Sequence, residues 1–288
     1  MSRHFGIVAT LVSVFALSVV QPALAQRFHP SDPLLEDDDR LIDVTEEPTE
    51  IELSDMFDRF GHIFHIFGEP PFPAFVEAQN VNSLDEVPDS SWFIDRHAAG
   101  RLSIAELAIA SNVDGSPNPD ETWTIFAGKS QGITPGFSII DGRGDRYVIK
   151  FDPVGIPELS TAAEVIGTKI FWALGYHVPQ NHVVRFNPEN FAIEEGTMVE
   201  DTWGDRVPLR ALRVRRMIRR VPKDDDGRMR VIASKYIEGT PIGPFRYHGT
   251  RSDDPNDVIP HEHRRELRGL RLFAAWTNHD DTRAQNTQ

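Results

Sequence analysis

Hydrophobic and polar positions alternate along the middle of the chain, and this alternation predicts a set of β-strands. Thr122 to Phe126 alternates as one strand. Phe137 to Ile140 and Tyr147 to Phe151 predict a β-hairpin, because the turn-forming residues Asp141 to Asp145 lie between them. Further strands are predicted at His177 to Arg185, at Phe191 to Val199 as an edge strand, and at Met229 to Ile237.

Apolar residues at helical spacing predict four helices between these strands and around them. The longest begins at Pro157 and runs to Leu174, where Gly175 ends it. The others are predicted at Met56 to Phe67, Leu209 to Val221 and Glu266 to Thr277. Strands and helices that are mixed in this way indicate an α+β fold.

Two polar stretches precede the first strand. Val87 to Ser91 predicts a turn and a helix cap, followed by Trp92 and Phe93 as buried anchors. Ser111 to Asp120 is rich in Ser, Asn, Asp, Gly and Pro, which predicts a loop.

The N-terminus has the three parts of a secretory signal peptide. Arg3 and His4 precede an apolar run from Phe5 to Val20, and Ala23-Leu24-Ala25 follows as a cleavage pattern. The apolar run is shorter than a membrane span, so no stable span is expected after cleavage. The sequence therefore predicts an exported protein, secreted or located in a bacterial periplasm.

Composition narrows the function classes. The chain has no cysteine, which excludes disulfides, thiolate metal sites and a cysteine nucleophile. The net charge of −14 argues against general nucleic-acid binding, which needs a basic surface. Gln26 to Asp55 holds eleven acidic residues against two arginines, as expected for a solvated leader. Arg206 to Arg230 holds ten Arg or Lys, which indicates either a solvated helix face or a surface for a phosphorylated or acidic partner.

The order of the chemistry-bearing residues suggests phosphate chemistry. A glycine-bearing loop, Gly128 to Gly136, follows the first strand, and Lys150 lies on a strand that is followed by a helix. Near the end of the chain an apolar helix leads to Asp281, and Asn286 follows five residues later. This is the spacing of a kinase catalytic loop, in which the Asp orients the phosphate acceptor and the Asn holds a metal ion.

In these features the chain resembles the atypical protein-kinase-like superfamily, including HipA-type, phosphatidylinositol-kinase-type and exported spore-coat-type kinases. The resemblance covers roughly residues 122–286. It rests on Gly132-x-x-Pro135-Gly136-Phe137, on Tyr147 to Asp152, on Ala163-Glu164 through Leu174-Gly175-Tyr176, on Ile232 to Gly239, and on Asp281 with Asn286. It implies a kinase-like N-terminal lobe, built from an antiparallel sheet and a helix, followed by the beginning of a helical C-terminal lobe.

The resemblance also implies roles for individual residues in binding ATP and Mg²⁺. Gly132 and Gly136 would let backbone N–H groups approach the phosphates, and Lys150 would contact the α- and β-phosphates. Glu164 would pair with Lys150, with Glu158 as a rival partner. Lys235 to Gly239 would form the hinge beside adenine. Asp281, or alternatively Asp280, would orient the acceptor, Asn286 would bind magnesium, and Arg283 would neutralise charge or lie on the surface.

The sequence departs from the family pattern at its end. Kinases carry a second metal-binding Asp downstream of the Asn, and only Thr287 and Gln288 follow Asn286 here. The expectation is a fragment or an inactive relative of an ATP-dependent kinase. The alternative is a non-catalytic exported binding or scaffold protein, with a partner at the apolar face of the last helix, formed by Leu267, Leu270, Phe273 and Trp276.

The expected organisation has five parts. They are a signal peptide (1–25), an acidic leader (26–55), a helical segment (56–120), a kinase-like N-terminal lobe (121–240) and the start of a C-terminal lobe with the catalytic-loop-like segment (241–288).

Other catalytic motifs find little support in the sequence. A Walker A motif at Gly128-Lys129-Ser130 would need a glycine five residues earlier, where Trp123 stands. No Gly-x-Ser-x-Gly nucleophile elbow is present. Two histidine pairs, His62 with His65 and His261 with His263, are interpreted as structural or surface residues and, alternatively, as metal ligands.

Overall fold

The structure is a computed structural model that describes residues 76–128, 136–200, 205–239, 247–251, 254–279 and 282. The signal peptide, the acidic leader and the helix predicted at Met56 to Phe67 lie outside the described residues.

A six-stranded sheet forms the centre of the fold, and a separate two-stranded sheet packs beside it. The six strands lie in the order β4-β8-β3-β2-β1-β5, and β6 pairs with β7. The strands are β1 (Trp123–Gly128), β2 (Gly136–Ile140), β3 (Arg146–Phe151), β4 (Asn181–Phe186), β5 (Phe191–Ile193), β6 (Met198–Glu200), β7 (Arg206–Pro208) and β8 (Met229–Lys235). Neighbours in the large sheet are antiparallel except β1 and β5, which are parallel.

Four α-helices accompany the sheets in the described part of the chain. They are α1 (Ile104–Ile109), α2 (Leu159–Ala173), α3 (Ala211–Ile218) and α4 (Arg265–Thr277). Among the described residues, no helix is both long and apolar enough to cross a membrane. The mixture of helices with a mainly antiparallel sheet confirms the predicted α+β fold class.

One face of the large sheet carries the main hydrophobic core. Alternate residues of the strands point to this face, and the ring of Trp123 stacks on Phe186 with centroids 3.8 Å apart. Val214 and Ile218 of α3 cover the core from outside, together with Val199 of β6. Burial of each such large apolar side chain contributes about 1.5–3 kcal/mol, so this face supplies most of the stability of the sheet.

Helix α2 connects β3 to β4 and packs on the opposite face of the sheet. The buried carboxylate of Asp152 accepts hydrogen bonds from the Thr161 backbone N–H (2.9 Å) and hydroxyl (3.0 Å), which satisfies donors in the first turn. At the other end Gly175 has φ +108° and lies against Phe93. Both ends of α2 are therefore fixed by specific contacts.

Several element boundaries differ from those that the sequence predicts. Helix α2 begins at Leu159 rather than Pro157, because Glu158 adopts a left-handed conformation with φ +73°. The strand predicted from His177 begins only at Asn181. The single edge strand predicted from Phe191 to Val199 is two strands, β5 and β6, since a turn at Glu195-Gly196 separates them.

The segment before the sheet also differs from the prediction. No helix follows Val87 to Ser91; instead the Ser90 hydroxyl accepts a hydrogen bond from the Trp92 N–H within a tight turn. Trp92 and Phe93 are half-buried rather than buried. Helix α1 was not predicted, although Ser103 and Glu106 form a capping box at its start.

A second, smaller apolar cluster joins α2 to α4. Phe171 and Tyr176 pack there with Ala274, and Leu270 and Phe273 of α4 lie against them. The apolar face of the last helix is therefore largely covered within the chain, which corrects the expectation that this whole face is open to a partner. Trp276 remains 71% exposed.

Candidate functional site

The candidate site is built around an ion pair between Lys150 and Glu164. Lys150 lies on β3, in the middle of the large sheet, and its Nζ contacts Glu164 Oε1 on α2. The two side chains are 23% and 29% exposed, so the pair is partly desolvated yet open to solvent. Alternation along β3 turns Lys150 to the α2 face, while Ile149 and Phe151 enter the core.

The rival partner of Lys150 is placed elsewhere. Glu158 lies at the start of α2, and its Oε1 is 2.5 Å from Nη1 of Arg230 on β8. Lys150 therefore pairs with Glu164 rather than with Glu158, as the kinase resemblance implies.

Strand pairing brings one end of the glycine-bearing loop next to Lys150. Gly136 is the first residue of β2 and pairs in register with Lys150. Gly132 lies outside the described residues, between the end of β1 and the start of β2. Gly128, at the end of β1, has a packing role, because a Cβ there would overlap the side chain of Val199.

A β-bulge in β1 places an aromatic group near the predicted hinge. The register between β1 and β2 shifts between Ile125 and Ala127, so Phe126 is the extra residue. The Phe126 ring lies 6.2 Å from the Tyr236 ring and 4.7 Å from the guanidinium carbon of Arg146. The Tyr236 hydroxyl lies 3.0 Å from Ser138 Oγ on the site-facing side of β2.

The predicted hinge, Lys235 to Gly239, begins at the last residue of β8. Lys235 Nζ contacts Asp114 (2.9 Å) and Asp145 (3.4 Å), and the hydrogen bond to Asp114 is the main reason that the pKa of Lys235 is raised. The Tyr236 N–H donates to the Arg146 carbonyl (2.9 Å). These contacts fix the start of the hinge against the hairpin, while Ile237 is 72% exposed.

A series of side-chain hydrogen bonds connects β8 to α2 near the ion pair. Ser234 Oγ donates to Asn181 Oδ1 (2.5 Å), and Asn181 Nδ2 donates to Thr168 Oγ1 (2.6 Å). Thr168 Oγ1 donates in turn to the Glu164 carbonyl (2.7 Å). These hydrogen bonds fix the rotation of α2 on the sheet and thereby orient Glu164 toward Lys150.

The end of α4 returns to the same helix. Asn278 ends α4 in a left-handed conformation (φ +53°), and the His279 ring lies 4.9 Å from the Phe171 ring. A Cβ placed on Gly167 would lie 3.9 Å from His279 Cδ2. Glu164, Gly167 and Phe171 share one face of α2, because they are three and then four residues apart. The predicted catalytic Asp281, its alternative Asp280, the predicted metal ligand Asn286 and Arg283 lie outside the described residues.

A buried polar network lies at the start of α4, and the sequence did not predict it. Asp257 accepts from His261 Nε2 (2.8 Å) and from Arg264 Nη2 (3.1 Å), and all three are at least 93% buried. Burial alone would raise the pKa of Asp257, but hydrogen bonds from His261 and from the Arg251 backbone N–H hold that pKa below its usual value. Asn80 donates to the buried carboxylate of Glu266.

This network gives one histidine pair a structural role. His261 is 1% exposed and bonds to Asp257, and His263 Nδ1 contacts Arg268 (3.2 Å). In the described part of the chain no group of three or more His, Asp or Glu residues could hold a metal ion. The other pair, His62 with His65, lies outside that part.

Comparisons with protein-family models, with curated proteins and with solved structures give no match. The interpretation of the site therefore rests on its geometry and on the order of its residues along the chain.

Proposed function

We propose that this chain is a kinase-like protein that binds a magnesium nucleoside triphosphate, with ATP as the expected ligand, and that residues 1–288 lack phosphotransferase activity by themselves because no second metal-binding Asp follows Asn286 among them. The observation that carries the proposal is the ion pair between Lys150 and Glu164. Protein kinases use this arrangement, in which a lysine on the third strand is held by a glutamate on the following helix and contacts the nucleotide phosphates.

The strand and helix that carry the pair match that arrangement in order. Lys150 lies on the third strand, and Glu164 lies on the helix that directly follows it. The ammonium group is held by a single carboxylate and remains 23% exposed, so its remaining N–H groups can donate to a phosphate.

The loop residues proposed to contact phosphate connect β1 to β2, and β2 is the strand that pairs with the strand of Lys150. Gly136 pairs in register with Lys150, so residues 129–135 connect the strand beside Lys150 to β1. Backbone N–H groups of a glycine-containing loop at this position would face the same phosphates as Lys150. We assign Gly132 and Gly136 to this contact.

The contact between His279 and α2 supports a role for the residues after α4. His279 lies against the face of α2 that carries Glu164, so the chain leaves α4 on the side of the ion pair. Asp281 follows two residues later and would orient the acceptor hydroxyl, while Asn286 would bind magnesium. Magnesium, when bound, would neutralise the charge that develops on the transferred phosphoryl group.

Nucleotide binding tests this proposal directly. We expect the full chain to bind Mg-ATP in calorimetry, and Lys150→Ala to weaken binding about 10- to 100-fold, since a hydrogen bond to a charged group contributes about 1.5–3 kcal/mol. Lys169→Ala is the matched control, because Lys169 lies on α2 but contacts the carbonyl of Ala108 rather than Glu164. Equal affinity in the two variants would refute the assignment of Lys150.

A second measurement separates binding from catalysis. Transfer of the γ-phosphoryl group is followed with labelled ATP in the unmodified chain and in Asp281→Asn; any transfer by the unmodified chain should be lost in Asp281→Asn while binding of Mg-ATP persists. Binding without transfer in the unmodified chain would favour a nucleotide-binding protein without kinase activity.

A further inference from the structure

Helix α3 and its two ends carry a surface of exposed arginines on the side of the molecule opposite the candidate site. Val214 and Ile218 of α3 enter the core, and the arginines point outward. We call this surface the arginine face; it consists of Arg210, Arg215, Arg216, Arg219 and Arg220. None of these five side chains makes an ion pair with a described residue, and Leu212, beside them, is 67% exposed.

Five exposed positive charges on so short a segment repel one another. Like charges three or four residues apart on a helix destabilise it. Arg215 and the C-cap residue Arg219 are four positions apart, and Arg216 is four positions before Arg220 in the turn that follows. An anionic partner would relieve this repulsion, and the planar guanidinium group binds a carboxylate through two parallel hydrogen bonds.

The same chain contains a segment with the complementary composition. Residues 26–55 hold eleven Asp or Glu and two Arg, a net charge of −9. Apolar residues are interspersed among these acids, at Leu34-Leu35 and at Leu41-Ile42. A segment with both acidic and apolar residues is complementary to the arginine face, which has Leu212 exposed beside it.

We propose that the acidic leader, residues 26–55, docks on the arginine face of its own chain. The tether permits this contact: the 20 residues 56–75 lie between Asp55 and Val76, where the described chain begins. Fully extended, they span up to ~70 Å, compared with a diameter of roughly 40 Å for a domain of this size. The covalent link also raises the effective concentration of the leader at α3 to roughly the millimolar range. The leader is therefore favoured over a free anionic partner of similar affinity that is present at a lower concentration.

The docked leader would act independently of nucleotide binding. Lys150 faces α2 on one side of the sheet, and α3 covers the core on the other side. The proposal therefore does not depend on the proposed kinase function.

Distance measurements on the full chain test the docking. The chain has no cysteine, so two introduced cysteines accept fluorescent labels at chosen positions. One pair joins Thr45→Cys in the leader to Ala211→Cys at the exposed start of α3. The control pair joins Thr45→Cys to Ala105→Cys on α1, which packs against α2 on the other side of the sheet.

Energy transfer should be high for the α3 pair at low salt and should not change on dilution of the protein. It should fall to the level of the control pair at 0.5 M NaCl, where the Debye length is ~4 Å. Charge reversal by Arg215→Glu with Arg219→Glu should cause the same loss at low salt, while circular dichroism confirms that the fold is kept.

Two results would overturn the proposal. One is transfer in the α3 pair that equals the control pair at low salt, which would show that the leader does not reach the arginine face. The other is transfer that persists after charge reversal. If the first result is accompanied by binding to anionic lipid vesicles that charge reversal abolishes, the arginine face is a membrane-binding surface instead.

Discussion

Substitution of Gly175 by alanine tests how tightly the end of α2 packs against the preceding segment. Gly175 has φ +108°, and its carbonyl accepts a hydrogen bond from the Ile94 N–H (2.9 Å). A Cβ at this position would overlap the Phe93 ring and would lie 2.8 Å from the Ile94 carbonyl oxygen. The alanine variant therefore combines backbone strain with a steric collision.

Both contributions to the loss of stability can be estimated. A non-glycine residue in a sparsely populated backbone region costs about 1–3 kcal/mol. Overpacking adds about 1–3 kcal/mol when the neighbours cannot move freely, and here one neighbour is a backbone carbonyl. We expect Gly175→Ala to lower the free energy of unfolding by about 2–6 kcal/mol.

Urea unfolding of the full chain, followed by tryptophan fluorescence, measures this change. Gly196→Ala is the matched control: Gly196 also has a positive φ, +82°, but a Cβ there would meet nothing within 4 Å. The control should lose only the backbone contribution. Adding Phe93→Ala to the Gly175 variant should recover part of the steric contribution. If Gly175→Ala cost no more than Gly196→Ala, the collision would be relieved without cost and the reasoning would be wrong.

Two further predictions concern buried charged and titratable groups. Burial lowers the pKa of His182 below 6.5, helped by the nearby charges of Lys235 and Arg143. As the pH falls through 6.5, the unfolded chain binds a proton at His182 that the native chain does not, so the free energy of unfolding should fall between pH 7.5 and 5.5. The urea midpoint of His182→Leu should fall less over the same range. If the midpoint of the variant fell as steeply as that of the unmodified chain, the assignment to His182 would be contradicted. Arg264→Ala should lower the free energy of unfolding by about 3–5 kcal/mol, because it removes the buried guanidinium that pairs with the buried carboxylate of Asp257 and leaves that carboxylate to His261 and the Arg251 N–H. The neighbouring Arg265→Ala should change stability little, since its ion pair is exposed, and equal losses in the two variants would show that burial is not decisive.

Local signals predicted the sheet well where turn and strand residues are adjacent in sequence. The β2–β3 hairpin follows from alternation on both sides of Asp141 to Asp145, and the Asp141 carboxylate accepts from the Arg143 and Asp145 N–H groups within that turn. The ion pair between Lys150 and Glu164 was implied by the family resemblance alone, and Glu158 stayed open as a rival partner. Helix α1 has a capping signal but buries none of its six residues, so periodicity could not reveal it.

The buried network at the start of α4 could not be predicted, because its partners are distant in sequence. Asn80 and Glu266 are 186 residues apart, and nothing in either local sequence indicates the other. The local sequence of α4 also could not predict how much of its apolar face is covered, because that depends on where Phe171 and Tyr176 lie in the folded chain. Local patterns define elements, whereas such contacts depend on how the whole chain packs.

The segment at residues 76–80 depends on α4 for its native contacts, and this has a consequence for the order of folding during synthesis. The Gln79 N–H donates to the His263 carbonyl (2.9 Å), and Arg268 Nη1 donates to the Val76 carbonyl (2.9 Å). Arg268 is synthesised 192 residues after Val76, at ~5–20 residues per second. The first described residues must therefore wait roughly 10–40 s for their partners, and their native contacts cannot form until α4 has been synthesised.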